Sequence, residues 1–368
     1  MKLPFKGAVD CDLHLPSPPT SALLPYLPAY WRDQLQTRFI HKMNFQLTSY
    51  PPNSPLTCRE DWRAKKGSAE SDLDRVRRQA LDPFGVDIAI ASMLHGAIAL
   101  FNEDMAAAIC SAVNDFVVHE WLDPEPRLRG SILITGQNTD HAVAEIERLA
   151  HDKRFVQVIL PVMGDMLPGK RQMWPIYRAC EKHGLALALH AGSTSRFPTT
   201  ASGWPSFQVE DYVANSAAFE NAIVSLVSEG VFNECPDLRV ICLESGFGWL
   251  PTLLWRLNKE WRGIRQEVPW ITRQPGDILR ERFRFTLQPV EVPTAALIER
   301  TLDHIGSQDL LLFSTDYPHA HFEGEEALPD GLSDALIRKI TRDNPLASYP
   351  RLSGGAATHQ PEKAEQRS

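Results

Sequence analysis

The feature that most constrains the fold is a series of eight short apolar runs, each about as long as one strand. They cover residues 8–15, 86–92, 128–134, 155–160, 185–190, 238–243, 282–287 and 310–315. Most are rich in leucine or β-branched residues and are apolar on both faces, as buried parallel strands are. Between them lie segments whose apolar residues recur at helical spacing. The clearest of these cover residues 104–121, 140–150, 213–228 and 291–305.

Eight strands that alternate with helices predict an α/β protein, a (β/α)8 barrel of the TIM type. A doubly wound open sheet is the alternative, but it would be expected to carry fewer strands or a glycine-rich nucleotide turn. The sequence contains neither a GxGxxG nor a GxxxxGK motif. The barrel therefore fits the pattern better.

The 368 residues suffice for one large barrel domain, which we place at residues 1–349. Residues 16–69 interrupt the alternation after the first strand and are rich in proline and aromatic residues. We expect them to form a cap over the barrel mouth or an arm in a homodimer. Residues 192–212 form a second insertion after the fifth strand. Residues 350–368 have the composition of a disordered tail.

The composition limits the possible partners. Hydrophobic residues make up 43% of the chain and charged residues 23%, and the formal net charge is -8. That charge argues against a nucleic-acid or anionic-membrane partner, since both require a basic face. The longest apolar runs are far shorter than the ~18 residues of a membrane-spanning helix. With no export signal and no CxxC pair among six cysteines, we expect a cytoplasmic protein with free thiols and a small-molecule substrate.

Polar side chains end four of the predicted strands, on the side where barrel active sites lie. Asp12 and His14 end the first strand, and the period of two places both on one face. His190 ends the fifth strand and Asp316 the eighth. Each residue alone has an ordinary structural explanation, but all four converge at the mouth if the strand register is right. Carboxylates and imidazoles are normal ligands of Zn²⁺, Mn²⁺ and Fe²⁺, so the set predicts a site for one divalent ion.

Four motifs contain these residues and their neighbours, namely VDCDLH, WPIYRACEKHGLALALHAG, LESGFGWLPTLLWRL and LLFSTDYPH. In their order and spacing, most of residues 8–345 resembles the amidohydrolase superfamily. The resemblance is to the amidohydrolase-related branch, often called amidohydrolase 2, which includes aminocarboxymuconate-semialdehyde decarboxylase. It implies a (β/α)8 barrel with one divalent metal ion. The implied ligands are Asp12, His14, His190 and Asp316.

The sequence departs from the family pattern at two positions. Asp12 stands where the first histidine of an HxH pair is found, which shifts the preference toward Mn²⁺ without excluding Zn²⁺. Glu244, at the end of the sixth strand, stands where many relatives carry a histidine, and we expect it beside the ion as a catalytic residue. The fourth strand ends in Leu160 and Pro161 rather than lysine, so a two-metal site with a carbamylated lysine is not expected.

Four further residues are weaker candidates. His319 follows Asp316 by three residues, and we expect it to hydrogen-bond Asp316 or the substrate as a catalytic residue. His95, after the second strand, is a candidate for substrate binding. In the second insertion, Arg196 and Trp204 could clamp an anionic or aromatic substrate. Ordinary loop residues are the alternative for all four.

Two reactions fit such a site. Metal-activated water could attack an amide, ester or lactone. Alternatively, the ion could hold substrate oxygens while Asp316 supplies a proton to a ring carbon and CO2 leaves, as the resemblance implies. We favour a decarboxylase that acts on a small carboxylic acid, with aromatic acids among the candidates. A metal-dependent hydrolase is the alternative, and an inactive barrel that serves as a binding protein is a third hypothesis.

Overall fold

The computed structural model describes residues 6–43, 58–63, 72–319 and 327–353. Eight parallel strands form one sheet and pair in the order of the chain. They are β1 Ala8–His14, β2 Val86–Ser92, β3 Leu128–Leu133, β4 Phe155–Met163, β5 Ala186–Ser193, β6 Val240–Leu243, β7 Phe283–Thr286 and β8 Leu311–Leu312. Every strand coincides with a predicted run, and β4 and β5 continue three residues beyond it. The predicted (β/α)8 barrel is confirmed.

The chain that follows β8 returns to β1 at the mouth of the barrel. The backbone N–H of Asp316 donates to the carbonyl of Asp12 at 3.0 Å. The N–H of His14 donates to the carbonyl of Tyr317 at 2.8 Å. These bonds place the end of the eighth strand directly beside the end of the first.

Helices flank the strands. The described α-helices are α1 Thr20–Leu23, α2 Ala29–Thr37, α3 Leu73–Val76, α4 Glu103–Val117, α5 Thr139–Leu149, α6 Trp174–His183, α7 Gln208–Ser228, α8 Val231–Glu234, α9 Leu250–Ile264, α10 Pro275–Arg282, α11 Ala295–Ile305, α12 Asp334–Arg338, α13 Asn344–Ser348 and α14 Pro350–Ser353. None of them combines the length and the apolar character that crossing a membrane requires.

The start of α7 differs from the sequence-based prediction, which begins this helix at residue 213. The helix starts at Gln208 because the Glu210 carboxylate accepts hydrogen bonds from the N–H groups of Ser206 and Phe207, at 2.9 and 2.8 Å. These bonds satisfy donors that a helix start would otherwise leave unpaired. The second insertion is correspondingly shorter, and its irregular part covers residues 194–207.

The core fills the barrel and the layer between strands and helices. At Gly130 in β3, the ring of Phe155 in β4 lies so close that a Cβ atom would stand 2.7 Å from it. Only glycine permits this approach. The same two strands carry a satisfied buried polar pair, in which Gln157 Nε2 donates to Ser131 Oγ at 2.8 Å.

Two described parts of the first insertion are placed by their contacts. Helix α1 packs against α4 on the side of the barrel. Residues 58–63 lie against the loop that follows β8. There the N–H of Arg59 donates to the carbonyl of Pro318 at 2.9 Å, and the Trp62 and Tyr317 rings lie 4.9 Å apart.

Other parts of the predicted architecture fall outside the described residues. These are residues 44–57 and 64–69 of the cap and 354–368 of the tail. A cap over the mouth therefore stays a prediction. At the start of the predicted tail, Arg351 of α14 donates to four backbone carbonyls and attaches that helix to the barrel.

Candidate metal centre and active site

The ends of β1, β5, β6 and β8 bring six titratable side chains to one place at the barrel mouth. They are Asp12, His14, His190, Glu244, Asp316 and His319. They form two overlapping groups of four, and within each group the possible ligand atoms lie within 4.8 Å of one another. The first group contains Asp12 and His190, the second contains Asp316 and His319, and both contain His14 and Glu244.

His14 joins the two groups. Its Nε2 atom lies 2.9 Å from Asp316 Oδ1 and 3.0 Å from Glu244 Oε1. The same nitrogen lies 3.4 Å from His190 Nε2 and 3.8 Å from Asp12 Oδ1. The four residues predicted to bind a metal are therefore neighbours in the structure.

The sequence predicts Glu244 beside the ion, and in the structure its carboxylate lies among the side chains of the cluster. Its Oε1 atom is 3.0 Å from His14 Nε2, 3.3 Å from His190 Nε2 and 3.5 Å from His319 Nδ1. Its carboxylate thus contacts both imidazoles that the sequence predicts as ligands. Glu244 is placed as well as Asp12 is to take part in binding a cation.

Two cluster residues have left-handed backbone conformations, with φ of 56° at Glu244 and 52° at Asp316. Such conformations cost a residue with a side chain about 1–2 kcal/mol and persist where the surroundings fix them. At Glu244, the backbone N–H donates to Thr286 Oγ1 at 3.0 Å. The Glu291 carboxylate accepts two backbone N–H groups of the following turn, at 2.8 and 2.6 Å.

Asp10 fixes the corresponding backbone before Asp316. Its buried carboxylate accepts from the Thr315 N–H at 3.0 Å, from the Thr315 hydroxyl at 2.6 Å and from the Asp12 N–H at 3.2 Å. Burial raises the pKa of Asp10 to about 7, although these hydrogen bonds oppose the shift. No sequence pattern indicates a role for Asp10, because its partner Thr315 is 305 residues away along the chain.

Opposite charges set the protonation of the cluster. Burial alone would lower the pKa of His14, but the carboxylates of Asp12, Asp316 and Glu244 raise it well above its usual range. Burial alone would raise the pKa of Glu244, but His190 and His14 hold it well below its usual range. Protonated imidazoles thus compensate buried carboxylates. A divalent cation could take the place of these protons.

The donor set fits such a cation. Asp12 Oδ1 accepts from Ser92 Oγ at 3.2 Å, whereas the buried Oδ2 atom has no hydrogen-bond partner among the described residues. This oxygen lies 3.7 Å from His190 Nε2. His190 Nδ1 lies 2.7 Å from the carbonyl of Ala191, which places its proton on Nδ1 and leaves Nε2 as a ligand atom.

The amidohydrolase family model matches residues 9–351. The chain belongs to the amidohydrolase family. This match confirms the resemblance that the four sequence motifs indicate. No curated protein matches the sequence.

Solved structures show the same fold. An amidohydrolase from Mycobacterium avium subsp. paratuberculosis K-10 is 18% identical with a TM-score of 0.70, covering 93% of this chain and 98% of that chain. A second structure is a dihydroxybenzoic acid decarboxylase from Polaromonas sp. JS666, with bound manganese and the inhibitor 2-nitroresorcinol. It is 19% identical with a TM-score of 0.63, and the match covers 93% of this chain and 96% of that chain. The 5-carboxyvanillate decarboxylase from Sphingomonas paucimobilis is 18% identical with a TM-score of 0.66, covering 94% and 99%.

In this amidohydrolase, His319 lies where the sequence predicts it. Its Nδ1 atom is 3.0 Å from Asp316 Oδ1, and its ring centroid is 4.6 Å from that of His14. Burial alone would lower the pKa of His319, but the Asp316 charge raises it to about 10. Without a metal ion, the imidazole is therefore protonated at neutral pH and holds a proton beside Asp316.

Arg196, predicted as a substrate clamp, makes extensive contacts within the protein. Its guanidinium forms an ion pair with Asp165, donates to the carbonyls of Ala99 and Leu100 at 3.2 and 2.9 Å, and lies 4.1 Å from the ring centroid of Phe101. These contacts join the loops that follow β2, β4 and β5. Binding of substrate by Arg196 stays a prediction.

The other two substrate candidates make no direct contact with the cluster among the described residues. His95 is buried, and its Nδ1 atom accepts the N–H of Ala97 at 3.1 Å. Burial and the nearby charge of Lys42 lower the pKa of His95 to about 4, so it is neutral with its proton on Nε2. Trp204 is 54% exposed in the second insertion. Among the described residues, no hydrogen bond or ring contact joins either one to the six-residue cluster.

Tyr212 was not predicted, yet it lies close to the cluster. Burial raises the pKa of its phenol, and the charges of Glu244 and Asp316 raise it further. The sequence contains a signal for this residue, because Gln208, Tyr212 and Asn215 are polar and share one face of α7.

Proposed function

We propose that this amidohydrolase is a manganese-dependent decarboxylase that removes CO2 from a small aromatic carboxylic acid. The proposal rests on the gathering of three carboxylates and three imidazoles at the mouth of a barrel of this family. Two of the structures with the same fold are decarboxylases of aromatic acids, and one of them contains manganese. These relatives support the choice of reaction and metal.

We assign the metal to Asp12, His14, His190 and Asp316, with Glu244 close enough to join them. The unpartnered Oδ2 atom of Asp12 and the Nε2 atom of His190 support this assignment. A carboxylate-rich set suits Mn²⁺, and Zn²⁺ is the alternative. When bound, the cation would bind substrate oxygens and stabilise the negative charge that develops as the carbon–carbon bond breaks.

The protein's own residues would supply the proton. Decarboxylation replaces the ring carboxylate by hydrogen, so one proton must reach the ring carbon for each CO2 that leaves. The electron pair of the broken bond forms the new carbon–hydrogen bond. We assign the transfer of this proton to Asp316. His319 would then supply a new proton to Asp316, because its Nδ1 atom lies 3.0 Å from Asp316 Oδ1.

Glu244 would limit which acids enter. Its pKa is held well below the usual range by His190 and His14, so it carries a negative charge at neutral pH. A second carboxylate on the substrate would meet this charge and be repelled. We therefore infer that Glu244 acts on substrate preference in addition to any contact with the ion.

We also propose that the protein is a cytoplasmic homodimer. Large apolar side chains are exposed along one segment after β5, where Phe197, Phe207 and Val213 are 59%, 65% and 70% exposed. Such groups of exposed apolar residues are typical of protein interfaces.

The state of the cysteines supports the cytoplasmic location, because all six are free thiols, as in reducing compartments. The dimer can be tested by its mass. Sedimentation velocity should give twice the chain mass of 41.4 kDa, whereas a monomer would contradict the dimer.

The reaction can be tested with manganese-loaded protein and a panel of hydroxylated benzoic acids, including the monocarboxylate 2,6-dihydroxybenzoate and the dicarboxylate 5-carboxyvanillate, which Glu244 should disfavour. We expect CO2 release from at least one acid, loss of this activity after chelation and its return with added Mn²⁺. Aryl esters, amides and lactones should be assayed in parallel. Hydrolysis without CO2 release would show that the protein is a hydrolase and not a decarboxylase. If neither activity is found, the hypothesis of a binding protein remains.

A further inference from the structure

Three arginines lie together at the bottom of the barrel, the end opposite to the mouth. Arg239 directly precedes β6, Arg282 ends α10 directly before β7, and Arg284 lies in β7. The parallel register pairs Ile241 with Arg284. Because residues two apart in extended chain share a face, Arg239 lies on the same face as Arg284. Two residues earlier on both segments, the same register places Arg239 opposite Arg282, about 5 Å away.

The carboxylates around these three residues, which we call the arginine triad, do not neutralise them. Within the described part of the chain, Arg239 and Arg284 form no ion pair. The ion contact of Arg282 is a long one, with 3.8 Å between its Nη2 atom and Glu281 Oε2. Glu281 is already bound by both terminal nitrogens of Arg273, at 2.5 and 2.6 Å. The triad therefore carries an excess of positive charge.

The arginines of the triad disfavour one another's charge. Burial and the charge of Arg239 lower the pKa of Arg284 to about 10, although Asp309 opposes the shift. Burial and the charge of Arg282 likewise lower the pKa of Arg239. Asp309 itself is paired with Lys339, at 2.5 Å. A bound anion would reverse this mutual repulsion.

The triad also has hydrogen-bond donors to spare. Arg284 Nη1 donates to three backbone carbonyls, the nearest being that of Phe283 at 2.7 Å. The side chain of Arg239, by contrast, donates no hydrogen bond to any described residue, and its Nη1 atom is among the buried nitrogens without a partner. All three arginines are partly exposed, with 17% for the Arg282 side chain, so an ion can approach them from solvent.

We propose that the arginine triad binds a tetrahedral oxyanion, sulfate or phosphate, either free or as the phosphate group of a larger molecule. Guanidinium groups suit such ions because their parallel N–H donors match two oxygens at once. The site is separate from the metal centre, because the extended chain from Arg239 to Glu244 spans about 16 Å. Binding there stabilises the folded protein and leaves the active site open.

The test titrates sodium sulfate into manganese-loaded full-length protein by calorimetry, at low ionic strength, where charges are least screened. We expect about one sulfate per chain at the triad. Arg239→Gln and, separately, Arg284→Gln should weaken binding at least about tenfold, because each removes a charge-assisted hydrogen bond. Arg262 is an exposed arginine of α9. Arg262→Gln is the matched control, which removes the same charge elsewhere and should change the affinity less than about twofold.

Two further arms identify the ion and its place. His190→Ala should bind sulfate as wild type does, because the triad does not depend on the metal centre, which could itself attract an anion. Inorganic phosphate and glucose 6-phosphate distinguish the sources of the oxyanion. Tighter binding of the ester would indicate a phosphate group on a larger molecule, whereas equal or weaker binding would indicate a free ion.

Three results would overturn the inference. Wild-type protein could bind no sulfate, the affinity could stay at its wild-type value in both Arg239→Gln and Arg284→Gln, or binding could disappear in His190→Ala. If Arg284→Gln does not fold, judged by circular dichroism, Arg239→Gln decides, because the Arg239 side chain donates no hydrogen bond to the described part of the protein.

Discussion

Asp10→Ala should destabilise the protein far more than the loss of one surface carboxylate would. The buried Asp10 side chain accepts three hydrogen bonds, two from Thr315 and one from the Asp12 N–H. Alanine leaves the two backbone N–H groups buried without an acceptor and the Thr315 hydroxyl without its partner. At about 1–3 kcal/mol for each unpaired donor, with partial relaxation, we expect the free energy of unfolding at pH 5 to fall by about 3–6 kcal/mol. Asp10→Asn keeps one acceptor oxygen and should cost about 1–2 kcal/mol.

The pH dependence gives a second expected result, measured on metal-free protein. Burial raises the pKa of Asp10 from 3.8 to about 7, so the folded state holds this proton more tightly than the unfolded state. The stabilisation by the protonated form is complete below pH 3.8 and is lost as the pH rises through about 7. Asparagine cannot ionise. Between pH 5 and pH 8, the free energy of unfolding of the wild type should therefore fall by roughly 2–3 kcal/mol relative to that of Asp10→Asn.

Urea denaturation of the three proteins measures both effects. Asp87→Ala is the matched control, because Asp87 is an exposed carboxylate on neighbouring β2. This substitution should change the free energy of unfolding by less than about 1 kcal/mol. Metal binding and turnover should also fall in Asp10→Ala, since Asp316 loses the residue that fixes its backbone. Asp10 does not have this role if the free energy of unfolding of Asp10→Ala lies within about 1 kcal/mol of wild type, or if the alanine and asparagine variants are equally stable.

Three further predictions concern the proton, the stability and the cap. Asp316→Asn should lower kcat by about 10²–10⁴-fold while most of the metal stays bound, and turnover within a few-fold of wild type would assign the proton elsewhere. Burial alone would raise the pKa of Glu125, but hydrogen bonds from Arg127 and Arg77 lower it to about 2. Glu125→Gln should therefore cost about 2–3 kcal/mol above pH 5, and this deficit should close as the pH falls toward 2, as followed by urea denaturation. Trp62→Ala should reduce turnover at least about tenfold by loosening the loop after β8, whereas Trp62→Phe should retain most of it, and equal activities would argue against a role of this segment.

The barrel and most of the cluster are predictable because their signals are local in the sequence. Each strand is an apolar run bounded by polar residues, and Asp12, His14, His190 and Asp316 end or directly follow such runs. Parallel strands in one barrel share one mouth, so their ends meet whatever the details of the loops. Residue type and position along the strand were sufficient for these predictions.

Other features depend on partners that are distant in the sequence. The contacts of Arg196 come from Asp165 after β4 and from backbone carbonyls after β2, which no pattern within the second insertion indicates. The sequence predicts that α7 starts at residue 213, which would leave Tyr212 in a loop. Tyr212 is helical because the Glu210 carboxylate accepts a backbone hydrogen bond that fixes an earlier helix start. Glu244 contacts three imidazoles because a left-handed turn directs it into the cluster.

Metal content is the most direct measure of whether the cluster at the barrel mouth is a metal centre. Protein purified without chelator should contain about one divalent ion per chain by elemental analysis. His190→Ala should lose most of it, whereas His183→Ala, at the end of α6 and outside the cluster, should retain it. Wild-type protein without stoichiometric metal, or equal metal in all three proteins, would contradict the assignment.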